Sequence, residues 1–307
     1  MTKPDFPLVW DNSMRGEFFS CGRAFNWGSL HGYKSPYPNI HLHAGKAWAS
    51  SLEAVRRAFY EEEKSPLEAV AMGLEKLITE YGSFIPPERG SGAAKSLDRL
   101  IEAFHYYWTA FPLEKDPAQP YRTKDGRPMV EFSFAVPLAD DLLHPVTGEP
   151  IIYAGRADMV ATYAGAVTIY DDKTTSALGA QWAQQWNRRA QFTGYAWAAS
   201  TFGIPVSQVL VRGIAILKTE IKHAEAITTR TPGHIAEWHH QFVKDIRRAI
   251  VAWENDDWDV SLDDACSSYG GCHFQQPCMS ANPEPWLNGP NFVRKIWNPV
   301  TREEILL

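Results

Sequence analysis

The sequence predicts an α/β fold, and three observations carry that prediction. Residues 159–170 read as a two-stranded hairpin, residues 129–136 alternate apolar and polar side chains, and long helical repeats flank these strands on both sides. In the hairpin, 159–163 and 166–170 are rich in β-branched and aromatic residues, which leaves Ala164-Gly165 as a tight connection. Pairing Tyr163 with Ala166 sets Asp158 opposite Asp171, with Cβ atoms roughly 5 Å apart. Strand side chains alternate, so Lys173 shares the face of Asp171 and Asp172 points the other way. Two opposed carboxylates repel unless something positive lies between them. A divalent cation held by oxygen ligands, with positions left open for water and a phosphate, is the economical explanation.

Composition sets the frame. At 307 residues, with 45% hydrophobic and 21% charged, the chain can bury a large core as one elaborate domain or a domain with an added helical part. No apolar run of about 18 residues is present and the opening residues lack a signal-peptide pattern, so the expectation is a cytoplasmic protein with no membrane partner. A net charge of −6 and a pI of about 5.9 exclude a generally basic nucleic-acid binder. Contact with DNA then requires a local basic groove, with a metal neutralising the scissile phosphate. The 12 tryptophans are read as mainly core.

The chain divides into four stretches. Residues 1–40 form an N-terminal segment in which Ser13 reads as an N-cap before an aromatic helical repeat containing Cys21. Residues 41–115 are helical: 44–62 repeats Ala47, Trp48, Leu52, Val55 and Phe59, Pro66 opens a helix to Tyr81, and 93–111 follows the Pro86-Pro87 and Gly90-Ser91-Gly92 breaks. Residues 116–255 hold the strands. After a Pro- and Gly-marked loop, Val130, Phe132, Phe134 and Val136 share one strand face and Glu131 the other, with Ser133. Beyond the hairpin, 181–202 reads as one helix carrying Arg188, Arg189, Gln191 and Tyr195. Strands 206–217 and 223–228 follow, the second an edge, and Pro232 starts a helix to about Asn255 with Arg247 and Arg248 on its later turns. These four arginines are candidates for a phosphate-binding face, or a solvated helix surface. Residues 256–307 form a cysteine-bearing region and tail.

Cys266, Cys272 and Cys278 lie within thirteen residues of a Gly-containing stretch, and with Cys21 they are all 4 cysteines of the chain. In a cytosolic protein such clustering reads as metal or redox chemistry before disulfides. Four thiolates suit zinc or a [4Fe–4S] cluster, with His273 a stand-in ligand, and spacing does not choose between them. Cys21 and Cys266 are 245 positions apart. A cross-link over that separation removes about 4–5 kcal/mol of unfolded-chain entropy.

Gly155-Arg156-Ala157-Asp158, then Asp171-Asp172-Lys173-Thr174, then Gln191-Phe192-Thr193-Gly194-Tyr195 resembles the PD-(D/E)xK nuclease superfamily, in particular its RecB-like, CRISPR-associated-type iron–sulfur exonucleases. That resemblance implies a restriction-endonuclease-like mixed β-sheet core flanked by helices over 116–255, with a helical insert. It implies a metal-dependent DNA exonuclease using Mg²⁺ or Mn²⁺. Glu131, Asp158, Asp171 and the Asp172 carbonyl would hold the ion, Lys173 would orient the attacking water or stabilise charge on the phosphate, and Gln191 and Tyr195 would brace Lys173 or the DNA backbone. It also decides the cysteine question for a [4Fe–4S] cluster held by Cys21, Cys266, Cys272 and Cys278. The implied partners are DNA, as single strands or duplex ends, and proteins of recombination, repair or CRISPR adaptation. One position departs from the pattern. Gly45 to Glu53 resembles the family's Gly-x-x-x-His-x-x-x-Glu, but Ala49 stands at the His, leaving His41, His43 and Glu53 as candidates for the vacancy. The alternative reading is therefore a catalytically weak DNA-binding or assembly module that keeps the fold.

Overall fold

The computed structural model describes residues 3–37, 39–88, 90–262, 264–267 and 271–306. The middle of the cysteine stretch, 268–270, lies outside the described residues. The chain folds as two compact units, one made of 1–37, 134–155 and 236–307, the other of 38–133 and 156–235.

In the first unit, the helix Asn12–Ser20 starts two residues earlier than Ser13 implied. Asp11 is its cap, its carboxylate accepting from the Met14 N–H at 2.8 Å. The helix Pro232–Asn255 begins at the expected proline and buries Trp238, Phe242, Ile246 and Ala249 at helical spacing. Trp238 and Phe242 pack on Tyr153, each with ring centroids 5.2 Å away. Asp245 is buried on the same helix, where the Arg15 guanidinium meets it at 2.6 Å. Tyr33–Lys34, Val293–Asn298 and Glu303–Leu306 form an antiparallel sheet, and Trp27, Tyr33, Phe274 and Leu287 make a small core beside it.

The second unit joins a helical layer to a mixed sheet. Its first helix runs Ile40–Tyr60, four residues longer at its start than the apolar repeat predicted, because the Asn39 side chain accepts from the N–H groups of His41 and Leu42. Helix Pro66–Tyr81 has the predicted bounds, fixed by a Ser65–Glu68 capping box. The two helices touch at Gly73, where a Cβ would lie 2.2 Å from Val55 and 2.8 Å from the Ser51 carbonyl. Only glycine permits that approach. The third helix spans Leu97–Ala110, shorter than 93–111, since a 3₁₀ turn at Ser91–Lys95 precedes its Ser96 cap.

In the sheet, Ile152–Tyr163 pairs antiparallel with Ala166–Thr175, which pairs parallel with Gln208–Ile216, which pairs antiparallel with the edge strand Ile221–Thr229. Val130–Pro137 also pairs with Ile152–Tyr163. The parallel pair needs a crossover, and the helix Ala190–Thr201 supplies it. Residues 181–202 are thus not one helix. A first piece ends at Gln184, and the chain turns where Trp182 and Trp186 are buried and the Arg230 guanidinium donates to the Trp186 carbonyl at 2.9 Å.

Lys95 is only 2% exposed and its ammonium has no hydrogen-bond partner among the described residues. Loss of hydration pulls its pKa down to about 8. A folded pKa below the unfolded value means that the fold prefers the neutral amine. Stability is therefore penalised below about pH 8 and recovers as the pH rises from there toward the ordinary lysine range, a difference of about 3 kcal/mol. Lys95→Met is expected to stabilise the protein at pH 7 by up to that amount and to flatten the pH dependence. Denaturant midpoints measured between pH 7 and 10 test this, and parallel curves for the two proteins would refute it.

Candidate active site and cysteine cavity

The hairpin register is the predicted one, with Tyr163 opposite Ala166 and Met159 opposite Tyr170. One step further the strands part at their polar ends. There the Asp172 N–H donates to the Asp158 carboxylate at 2.9 Å. Asp171, 2% exposed, pairs with the Lys173 ammonium on the same face. Gln191, at the start of the crossover helix, donates to the Tyr195 hydroxyl at 2.9 Å one turn later. Trp182 packs onto Gly213, the residue paired with Lys173 on the neighbouring strand, where a Cβ would lie 2.2 Å from the indole.

Glu131 corrects a sequence reading. It was expected beside the exposed Ser133, yet it is 8% exposed and has φ of +53°. A left-handed residue inside a strand interrupts the alternation and turns the carboxylate inward. There Arg156 meets Glu131 at 2.8 Å and Glu53, on the helix Ile40–Tyr60, at 3.4 Å. Glu53 also accepts from Arg57 at 2.9 Å. Ala49 is exposed, and His43 is engaged elsewhere, bonded to the Tyr81 carbonyl at 2.9 Å and stacked on Phe84.

Crowding of the acids shows in their ionisation. Burial, and next the charge of Asp158, raises Asp171 to about 7. Burial, then the charges of Asp158 and Glu53, raises Glu131 to about 9, with Arg156 opposing. Burial would lower Lys173, but the charges of Asp171 and Asp158 more than offset it and hold the ammonium form. Burial first, then Asp171, pushes the Tyr195 phenol up to about 12.

Asp172 points to the opposite face, as alternation requires, into a buried network absent from the sequence reading. Its carboxylate pairs with Arg56 and accepts from the hydroxyls of Tyr107 at 2.9 Å and Tyr170 at 3.1 Å. Arg212, fully buried, continues the network, donating to Asp116 and Glu225, both at 2.7 Å, with its guanidinium 3.5 Å from the Phe111 ring centroid. Of the four candidate phosphate-binding arginines, Arg247 pairs with Asp141 at 2.7 Å and Arg248 with Asp259 at 3.6 Å in the first unit. Arg188 and Arg189 are exposed in the turn before the crossover helix of the second.

In the first unit, Cys21, Cys266, Cys272 and Cys278 line one cavity of about 330 Å³ together with Trp27 and Phe274. All four thiols are free and half-buried. Burial raises Cys272, and the proximity of Cys21, Cys266 and Cys278 raises it further. Arg23 donates to the Cys278 Sγ at 3.4 Å, and His273 packs against Phe274 and Phe292.

The family model described as the PD-(D/E)XK nuclease superfamily matches residues 17–279. The chain belongs to that superfamily. Its mixed sheet flanked by helices is the superfamily's fold. Among the solved structures that resemble the chain are two of low identity. One, of SSO0001, is 16% identical over 66% of this chain and 74% of the other, with a TM-score of 0.27. The second, described as "Putative exonuclease" from Eubacterium rectale, is 13% identical over 77% of this chain and 94% of the other, with a TM-score of 0.31. No curated protein matches the sequence. No helix among the described residues is long and apolar enough to cross a membrane.

The superfamily implies a divalent ion, and the acidic donor set fits one. Carboxylate oxygens are the ligands of hard cations such as Mg²⁺ and Mn²⁺, and burial first, then the charge of Asp158, raises the pKa values of Asp171 and Glu131. Among the described residues, no group of three or more His, Cys, Asp or Glu side chains is gathered closely enough to hold a metal ion as placed. The acids are held instead by local donors: Asp158 by the Asp172 N–H, Asp171 by Lys173, Glu131 by Arg156.

Proposed function

We propose that this nuclease is a metal-dependent deoxyribonuclease, acting as an exonuclease on DNA ends, with the second unit's hairpin as its catalytic centre. The observation that carries this reading is the meeting of Asp158, Asp171 and Lys173 where the hairpin strands part, with the buried acids crowded enough to resist ionisation. Asp158, Asp171 and Glu131, with the Asp172 carbonyl, hold Mg²⁺ or Mn²⁺. When bound, such an ion polarises the scissile phosphate and lowers the pKa of a coordinated water. Lys173 orients the attacking water and offsets charge gathering on the phosphate, a role that needs only the ammonium form the site maintains. Gln191 and Tyr195, hydrogen-bonded to each other on the crossover helix, brace that ammonium or the DNA backbone.

In the first unit, Cys21, Cys266, Cys272 and Cys278 hold a structural [4Fe–4S] cluster that ties the two ends of the chain together. Four free thiols around a cavity of about 330 Å³ support this, since a single zinc ion with sulfur bonds of about 2.3 Å needs less room.

The test is digestion of end-labelled linear and circular DNA, single- and double-stranded, by anaerobically purified protein with Mn²⁺ or with a chelator, alongside iron and sulfide analysis. Mn²⁺-dependent loss of linear DNA alone is the expected result. Cutting of circles would replace the exonuclease by an endonuclease. No cleavage by a brown, iron-loaded protein would leave a DNA-binding or assembly module on a nuclease fold.

A further inference from the structure

We propose that Arg23 tunes the cluster held by the four cysteines, raising its reduction potential through a charged hydrogen bond to the Cys278 sulfur. The inference rests on the [4Fe–4S] reading above and deepens it.

Three observations lead to it. The Arg23 guanidinium donates to the Cys278 Sγ at 3.4 Å, so a sulfur assigned to the cluster is already a hydrogen-bond acceptor. Among the described residues that line the cavity, Arg23 is the only cationic side chain, in walls that include Trp27, Val260, Leu262 and Phe274. The arginine is also fixed from two sides. Its backbone N–H donates to the Asp259 carbonyl at 3.0 Å, beside Gly22, where a Cβ would lie 3.1 Å from the Asp259 backbone N and O. Its guanidinium carbon lies 5.9 Å from the Trp27 ring centroid, within the range of a cation–π contact. Between that ring and the sulfur, the guanidinium has a defined place.

The charge of the cluster gives this place its consequence. With four thiolate ligands a [4Fe–4S] cluster is an anion, and uptake of one electron, with no proton, makes it more negative. Apolar walls oppose that step, because a low dielectric disfavours the more highly charged state. A guanidinium at a ligand sulfur favours it, by Coulomb attraction and by withdrawing electron density from the sulfur. Arginine keeps its proton at any working pH, so this contribution is constant.

An anaerobic redox titration of the iron-loaded full chain, followed by the electron paramagnetic resonance of the reduced cluster, measures the effect without reference to cleavage. Arg23→Met is expected to disfavour reduction about tenfold, a shift of about 59 mV to lower potential. Arg23→Lys, which keeps the charge, is expected to shift less. A merely structural arginine would change how much cluster is retained but not the midpoint of what remains, so an unshifted midpoint in Arg23→Met overturns the proposal. A second measurement needs no variant. With a magnetic nitrogen isotope in the arginine guanidinium groups of the parent protein, pulsed resonance on the reduced cluster is expected to show a coupling to that nitrogen. Its absence overturns the proposal, as does a cluster that titanium(III) citrate fails to reduce. Protein that holds no iron, or zinc in its place, defeats the cluster reading itself.

Discussion

Asp171→Asn is expected to leave a folded protein that no longer cuts DNA, with cleavage reduced at least about 10³-fold, or about 4 kcal/mol of transition-state stabilisation. The amide keeps the shape of the side chain but removes the negative charge that faces Lys173 and, in the proposed centre, would face the divalent ion. The fold should tolerate the change because the native charge opposes folding. Burial, and then Asp158, raise Asp171 to about 7 in the folded state, well above its unfolded value. Its contribution to stability is therefore present at low pH and lost as the pH rises through about 7. Without metal, Asp171→Asn should melt above the parent at pH 8 and close to it at pH 4. Cleavage assays with Mn²⁺ and melting curves at both pH values measure the two halves of this prediction. Retained cleavage would remove Asp171 from the centre. Equal destabilisation at both pH values would mean that its charge holds the fold together.

What the sequence could show follows the range of the interactions involved. The hairpin register was legible because two β-branched runs leave only Ala164-Gly165 to turn, and the structure pairs Tyr163 with Ala166. Helix Pro66–Tyr81 was legible from its proline, with Ser65 and Glu68 completing the local capping signal. The face of Glu131 was not legible because nothing beside it marks a positive φ, and the buried carboxylate meets Arg156 on the neighbouring strand. The break inside 181–202 had no glycine or proline to announce it and depends on Arg230 holding the Trp186 carbonyl. The buried network left a trace that pattern reading passed over. Arg56 sits one turn after Leu52 and beside Val55 on the buried face of its helix, and Arg212 interrupts the apolar run of Val209, Leu210 and Val211. A charge in an apolar stripe needs a buried partner, but the partner of Arg56 lies 116 positions away and only the fold identifies it.

That network makes Arg56→Met the most damaging change expected for stability. One guanidinium nitrogen of Arg56 serves the Asp172 carboxylate and contacts the hydroxyls of Tyr107 at 2.9 Å and Tyr170 at 3.2 Å. Its side chain is 5% exposed and that of Asp172 2%. Removing one partner of a buried ion pair leaves the other charge uncompensated, a loss of about 3–5 kcal/mol. The phenols of Tyr107 and Tyr170 still donate to Asp172, which places the expectation toward the lower part of that range. Cleavage should fall as well, because the backbone of Asp172 holds the Asp158 carboxylate and runs directly between Asp171 and Lys173. Any shift of Asp172 toward water therefore moves three residues of the centre together. If the cost comes from the orphaned charge, Arg56→Met/Asp172→Asn should recover part of the stability, since no uncompensated ion remains. Urea midpoints for the single and double variants decide the matter. A single-variant loss under about 1 kcal/mol, or a double variant no more stable than Arg56→Met, would show that the pair does not anchor the strand.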